Sequence, residues 1–535
     1  MMKTLQIMII GAGVSGLTTG YRITRLKSQF ESWGIQVQVH LVEARKRLGG
    51  RIHTVKLREM VAELGGQYLD DANEGRFVHA LCKELGVPTK VVLRPTASYL
   101  IDNENPPSYI SIYDHILPLI AHESENNRNL QLAQLEKVCK TLDEVIDAYF
   151  DDKIQQAILS CNAQKQRAYE LFKVFIKRRL QTFEGRPVSE LSAGYATTSL
   201  QFFLEATYKK SSWLRQRQTP EEVGPQGLLV MEGNGHLINT LEQKILGPSA
   251  TITRGLALKS LDKSTDGPFE LTFSDESVML ADIVILTLPA SEYHNITFSQ
   301  QAIPPEQLAA IRRIKLSPIT KLQIPVWSHS KQPLSGLTFS SQALTWLSPS
   351  LSPTADAAQV LSVFATGQSE LLQPDFLPLS QPHLQRNNPR NFSAQQAFIT
   401  ELQHLETLFP DCRFFDAPEN LAIDKAPEAQ LASIEQAVGV NWACEPFSHG
   451  GYSAITPDTA DLFSSDQIED FLGVPILKSF RPHLPKGSEK EPQGLYFAGE
   501  HTHPDFPATI EGAVSSGERA AQQFLTRMQQ LFEKN

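Results

Sequence analysis

Leu5-Gln6-Ile7-Met8-Ile9-Ile10-Gly11-Ala12-Gly13-Val14-Ser15-Gly16 decides the reading of this chain. An apolar run of strand character ends in a Gly-rich turn, and a long helical segment follows. A second strand-like run, Val37 to Val42, ends in Glu43. Strand, Gly-rich turn, helix, strand and terminal acid is the order of a dinucleotide-binding unit. Gly11 permits the tight turn, Gly13 lets the backbone approach a pyrophosphate, and Gly16 lets the helix pack on the strand. The N–H groups at the helix start face the phosphate. Glu43 is placed to accept hydrogen bonds from a ribose diol. It lies 27 positions past Gly16, beyond the roughly 20 usual for the motif. The intervening helix carries extra residues, such as Lys27-Ser28-Gln29-Phe30.

Working outward, 535 residues are too many for one compact core, so two or more domains are expected. The 41% hydrophobic and 20% charged content is that of a globular chain. A net charge of −10 without a Lys/Arg block argues against nucleic acid or an anionic membrane as partner. The five cysteines show no CxxC or Cys/His spacing. They read as free thiols in a reducing, cytoplasmic setting, with no metal site. The first apolar run leads straight into the Gly turn, so it reads as strand and not as a signal peptide. No apolar stretch is long enough to span a bilayer.

Glu43-Ala44-Arg45-Lys46-Arg47-Leu48-Gly49-Gly50-Arg51 narrows the cofactor. It resembles the second half of the FAD fingerprint of flavin-containing amine oxidases, the monoamine, polyamine and L-amino-acid oxidase superfamily. The resemblance makes Arg45, Gly50 and Arg51 cofactor-binding residues. Ala62-Glu63-Leu64-Gly65-Gly66-Gln67-Tyr68-Leu69 reads either as an ordinary Gly turn or as the family's strip of backbone under the flavin ring. In the second case Gly65, Gly66 and Gln67 contact the cofactor, the glycines allowing close approach. Residues 75–86 read as a helix with a Gly cap.

Leu130 to Phe150, Ile154 to Gln181 and Ala196 to Leu214 are helical by periodicity. This block is similar to the family's substrate-domain insertion. Its aromatics Tyr195, Phe202, Phe203, Tyr208 and Trp213 read mainly as core. Glu232-Gly233-Asn234-Gly235-His236-Leu237 then resembles the Gly-rich turn at which the cofactor domain resumes. Leu256–Leu261, Phe269–Phe273 and Ile283–Leu288 read as strands. By resemblance, the backbone of Leu258 meets adenine.

Lys321 sits in the otherwise largely apolar run Ile314 to Val326. It reads either as an outward-facing lysine on an edge strand or, by resemblance, as the lysine that amine oxidases place beside the flavin to hold a water. Residues 371–392 read as a loop and 395–408 as a helix. Cys444 to Ser453 resembles the loop that brings an aromatic to the flavin's substrate face, which makes Tyr452 that ring, one residue off the family's register. No Cys stands where monoamine oxidases attach their flavin, so the FAD is expected to be non-covalent. At the C-terminal end, Gly494 to Glu500 is a strand running into a Gly and an acid, and Thr509-Ile510-Glu511-Gly512 opens the last helix. The resemblance puts Gly499 and Glu500 at the ribityl phosphate side. It points the N–H of Ile510, at a helix start, at the flavin C2 carbonyl, where reduced flavin gathers negative charge.

The fold class expected is α/β. A Rossmann-like FAD-binding domain is assembled from residues 1–90, 225–300 and 485–535. Residues 91–224 form the helical part of a substrate domain and 301–484 its mixed-sheet part. The activity the resemblance implies is FAD-dependent oxidation of a small-molecule amine, with dioxygen as acceptor. Lys321, Tyr452 and Thr509 are the catalytic-side residues, and Thr509 stands where monoamine oxidases carry a second aromatic ring. Three rivals remain. An L-amino-acid oxidase would need a displaced carboxylate clamp such as Arg76 or Arg94. A flavin-bearing interaction protein without turnover is invited by Thr509. A desaturase is the third, although such relatives usually lack a lysine like Lys321.

Overall fold

A computed structural model describes residues 3–57, 60–69, 76–93, 98–102, 108–120, 124–215, 226–265, 267–328, 336–349, 358–367, 369, 412–413, 438–485 and 491–532. The loop and helix expected over 371–392 and 395–408 lie outside the described residues, as does Arg94.

The first strand, Lys3–Ile10, is central to a five-stranded sheet. In spatial order the strands are Gly494–Phe497, Ile283–Leu286, Lys3–Ile10, Ile35–Glu43 and Ala250–Arg254, and every pairing is parallel. Ile283–Leu286 is buried at every position, as expected for a strand covered on both faces. The Val14–Arg25 helix follows the first strand and packs with the last helix, Ile510–Phe532, in one apolar core. Strand order reverses at Lys3–Ile10, so a crevice opens at the carboxyl ends of the strands, where such sheets bind ligands. The α/β class and the discontinuous Rossmann-like sheet are therefore as expected.

Beside it lies a small sheet of Val278–Ala281, Phe269–Phe273, Leu258–Lys263 and Thr297–Phe298. A larger, eight-stranded mixed sheet is built around Ile319–Ser328 and Ala358–Thr366. Its Leu337–Phe339 strand runs parallel to Ser98–Asp102, while the neighbouring pairs are antiparallel.

The helical insertion consists of Glu125–Glu136, Leu142–Leu159, Ala163–Glu184 and Ala193–Arg215. The run expected as one helix from Leu130 to Phe150 is broken at residues 137–141. Thr141 and Glu144 form a reciprocal capping box there, which starts a new helix. The run expected from Ile154 to Gln181 breaks in the same way. Cys161 adopts φ +52°, and the Asn162 side chain accepts the Lys165 N–H. These helices share a core with Leu100 and Phe339 of the mixed sheet. Phe203 and Tyr208 are buried in that core, whereas Phe202 is 58% exposed.

Among the described residues no helix is long and apolar enough to cross a membrane, and no cluster of His, Cys, Asp or Glu could hold a metal ion.

Candidate functional site

A single cavity of about 1980 Å³ connects the Gly-rich turn, the small sheet, the mixed sheet and the helical insertion. That is roughly twice the upper end of a drug-sized pocket, room for a dinucleotide and a substrate together.

At one end is the Gly11–Gly16 turn. Gly11 has φ +102°, and its N–H donates to Val42 O at 2.8 Å. A Cβ on Gly16 would stand 2.0 Å from Gly11 O, whereas one on Gly13 would meet nothing within 4 Å. Gly13 is thus where the turn opens on the cavity. Glu43 is buried, and each of its oxygens accepts one backbone N–H, from Ala12 at 2.8 Å and from Arg45 at 2.9 Å. Each oxygen keeps a lone pair for a ribose hydroxyl. Leu258 lines the same end. Leu256 N donates to Glu43 O, and Gly255 N to Arg45 O, both at 3.0 Å, which joins the small sheet to the acid.

The basic residues of the 43–51 stretch separate in role. Arg45 lines the cavity, but its guanidinium donates to Pro446 O at 2.5 Å and Ser448 Oγ at 2.8 Å, fastening the 445–448 loop. Arg51 donates to Gly451 O at 2.9 Å and to Glu500 Oε1 at 2.7 Å. Glu500 also accepts from Ser453 Oγ and Ala508 N. Burial alone would raise its pKa, but Arg51 and these donors hold it below the ordinary value. Gly50 has φ +57° and packs on Gly13. Gly499, at φ +132°, donates its N–H to Ser516 Oγ at 2.9 Å. Glu500 therefore ties residues 51, 453 and 508 to one wall of the cavity.

The 63–67 strip lies along the middle of the cavity, with Leu64, Gly65, Gly66 and Gln67 on its wall. Five consecutive carbonyls of this strip are taken by side chains from elsewhere. Gln323 binds Glu63 O at 2.9 Å and Trp442 Nε1 binds Leu64 O at 3.1 Å. Lys321 Nζ binds Gly65 O at 3.1 Å, and Asn234 Nδ2 binds Gly66 O at 2.8 Å and Gln67 O at 3.1 Å. A Cβ on Gly65 would stand 1.8 Å from Arg51 O, and one on Gly66 would press on Ile510. The strip is therefore a fixed floor and not a free turn.

Lys321 points inward. It is buried, bonds Gln67 Oε1 at 3.2 Å as well as Gly65 O, and lies 5.8 Å from the Trp346 ring centre. Burial pulls its pKa down to about 8, with the charge of Glu63 opposing the shift. Glu63 is buried too. Burial pushes its carboxyl up to about 7, against the hydrogen bonds from Thr54 Oγ1 at 2.7 Å and Asn234 N at 2.6 Å and the charge of Lys321.

Tyr452 lines the cavity, and its hydroxyl reaches the carbonyls of Thr182 and Phe183 at 3.0 Å each. That anchors the ring to the end of the Ala163–Glu184 helix, and burial pushes the hydroxyl's pKa up. Thr509 also faces the cavity, but its hydroxyl accepts the Gly512 N–H at 2.9 Å, as an N-cap does, and donates to Phe506 O at 2.8 Å. Ile510 begins the helix at this point. Arg76 is exposed and does not line the cavity.

The sequence reading passed over Glu63 and Asn234, although both lie inside motifs it had quoted. Trp442, just past the Val438–Asn441 strand, was not marked either. Trp346, Arg179 and Glu184 also line the cavity, and no local pattern marked them.

The parallel sheet, the open Gly13, the two-handed Glu43 and the glycine floor fit a flavin dinucleotide, which defines a flavoprotein oxidoreductase. A family model for flavin containing amine oxidoreductases matches residues 14–525, and the chain belongs to that family. Its cofactor is FAD. Among relatives, a lysine-specific histone demethylase 1 homolog 1 from Oryza sativa subsp. japonica is 22% identical over 96% of this chain and 52% of its own length. The chain thus spans about half of that relative. A peroxisomal N(1)-acetyl-spermine/spermidine oxidase from Bos taurus is 22% identical over 97% of this chain and 94% of its own length. A putrescine oxidase structure with bound putrescine has the same fold, with a TM-score of 0.58 at 17% identity over 98% of this chain and 100% of that one.

Cys444 is exposed and is not part of the cavity wall. Acid or heat denaturation is expected to release FAD into the supernatant. Yellow colour that stays with the precipitated protein would contradict a non-covalent attachment.

Proposed function

We propose that this protein is an FAD-dependent amine oxidase, with its FAD-binding domain assembled from residues 1–90, 225–300 and 485–535. The chemistry FAD would supply when bound is acceptance of a hydride from the carbon next to an amine nitrogen, with dioxygen as final electron acceptor giving hydrogen peroxide; the imine would hydrolyse to a carbonyl product and ammonia or a smaller amine. The observation that carries this reading is the inward Lys321, bonded to the Gly65–Gln67 floor inside the cavity that the Gly-rich turn opens.

Lys321 supplies a hydrogen-bonding site beside the floor, able to hold a water there. Its lowered pKa makes the neutral amine accessible near physiological pH, so it can take or give a proton. Ile510, at the start of the last helix, presents a backbone N–H and the positive end of the helix dipole where negative charge collects. Tyr452, fixed by two carbonyls, gives one flat wall for the substrate, and Trp442 and Phe364 give others. Glu43, Gly13, Arg51 and Glu500 hold the cofactor's ribose and phosphate region. No general-base carboxylate is required when the amine arrives neutral. The thiols of Cys82, Cys139 and Cys161 are free, which supports a reducing, cytoplasmic setting.

The test is an anaerobic screen of tyramine, spermidine and a panel of L-amino acids, read by flavin absorbance. Amines are expected to bleach the flavin, and air to restore it with release of peroxide. Bleaching confined to α-amino acids would replace this reading by amino-acid oxidation. A flavin that no compound bleaches would leave a binding protein.

A further inference from the structure

The helical end of the cavity carries a cation that the proposed chemistry does not use. Arg179 lines the cavity from the Ala163–Glu184 helix and is walled in by protein on its other sides. Its guanidinium donates to Thr207 Oγ1 at 3.2 Å and hydrogen-bonds Tyr113. It lies 4.4 Å from the Phe203 ring centre and 5.9 Å from that of Phe175. Among the described residues no carboxylate forms an ion pair with it. Two hydroxyls and two ring faces leave several of its five N–H donors unused. A half-buried cation packed among protein groups with only neutral partners is costly, and arginine does not relieve the cost by losing its proton.

The acids nearby do not supply the missing charge. Glu205 lines the cavity, but its carboxylate is paired with the buried Arg128. Glu184 accepts from Ser199 Oγ at 2.5 Å, and burial pushes its pKa up. A carboxyl group can answer burial by taking up a proton, whereas a guanidinium cannot answer by losing one. The uncompensated charge at this end is therefore positive.

Its place on the helix sets Arg179 apart from the anchor of the proposed substrate ring. Tyr452, on the proposed substrate face, is bonded to the carbonyls of Thr182 and Phe183. Arg179 lies one turn earlier on the same helix, about 5–6 Å along its axis. An anion held there is several bonds from a carbon reacting beside Tyr452.

We propose that Arg179 forms a subsite for a carboxylate at the helical end of the cavity, so that the substrate is an amine carrying its carboxylate remote from the reacting carbon. A planar guanidinium between ring faces matches a planar carboxylate through two parallel hydrogen bonds. The substrate assignment rests on the amine-oxidation reading, but the subsite itself does not.

The test is calorimetric titration of the FAD-loaded protein with hexanoate and with hexanamide, its neutral counterpart. Wild type is expected to bind hexanoate about tenfold or more tightly than hexanamide. Arg179→Gln is expected to bring the ratio close to one, and Arg179→Lys to retain part of it. Equal binding of the two probes by wild type overturns the subsite, and does so without any variant having to fold. A ratio kept in Arg179→Gln overturns it as well. In parallel, 6-aminohexanoate is expected to bleach the flavin under nitrogen at lower concentration than hexylamine. If no amine bleaches the flavin while Arg179-dependent hexanoate binding persists, the oxidase reading fails and the subsite stands. If amines bleach it and the hexanoate preference is absent, the subsite alone fails.

Discussion

A Gly16→Ala variant is expected to purify without its yellow colour. The added Cβ would stand 2.0 Å from Gly11 O, 3.2 Å from Gly11 C and 2.7 Å from Thr287 Oγ1. The backbone it meets is held in place. Gly11 N–H is bonded to Val42 O at 2.8 Å, and Thr287 N–H to Ile10 O at 2.9 Å. Room is gained only by moving the turn, which shifts Gly13 and the helix N–H groups proposed to face the phosphates. Overpacking costs about 1–3 kcal/mol, and a clash with fixed backbone belongs at the upper end of that range, roughly a hundredfold in FAD affinity if the cost falls on the bound state. The absorbance ratio at 450 and 280 nm and an FAD titration of the apo form measure it. Gly247→Ala is the control, because its Cβ meets nothing within 4 Å and no left-handed φ is involved. It is expected to stay yellow. A Gly16→Ala protein with wild-type FAD affinity would remove the basis for placing the cofactor at this turn.

Lys321→Met is expected to keep FAD and lose about 10²–10⁴-fold in turnover, the range of a removed proton-handling group. Methionine fills the volume but supplies no donor to Gly65 O or Gln67 Oε1 and holds no water. The pH profile separates this from a packing defect. Burial lowers the Lys321 pKa to about 8, so its charged form prevails below that pH and its neutral form above it. Wild-type activity is expected to rise through a limb near pH 8 that the Met variant lacks. The limb belongs to Lys321 and Glu63 together, since each acts on the other's charge. Glu63 is what opposes the fall in the Lys321 pKa, so Glu63→Gln is expected to move the limb to lower pH. A Met variant with wild-type flavin reduction and an unaltered profile would favour the desaturase reading.

Both experiments probe parts of the site that differ in how openly the chain displays them. The phosphate turn is a local object: strand, three glycines and helix lie within a few tens of residues, and each glycine answers a steric need of its own neighbourhood. The same holds for the 43–51 stretch, and for Thr509, whose capping hydroxyl sits three residues before Gly512. Lys321 was different. A strand alternates its side chains between two faces, and the pattern around Lys321 does not say which face is covered. The direction was decided by the 63–67 strip, which arrives from more than 250 residues away to accept the lysine's hydrogen bond.

By itself, then, the sequence determined the cofactor-binding unit, the α/β class and the amine-oxidoreductase family, because those signals are contiguous and their physics is short-ranged. Tertiary structure alone decided that Lys321 faces inward and that Glu63 and Asn234 fasten the floor. It also decided that Arg45 holds a loop, and that Arg179, Glu184 and Trp346 share one cavity wall. These last residues sit on helix and strand faces whose periodicity matches ordinary core. A charge on such a face becomes a site only when packing surrounds it with protein and leaves one side open, and no stretch of chain records that event.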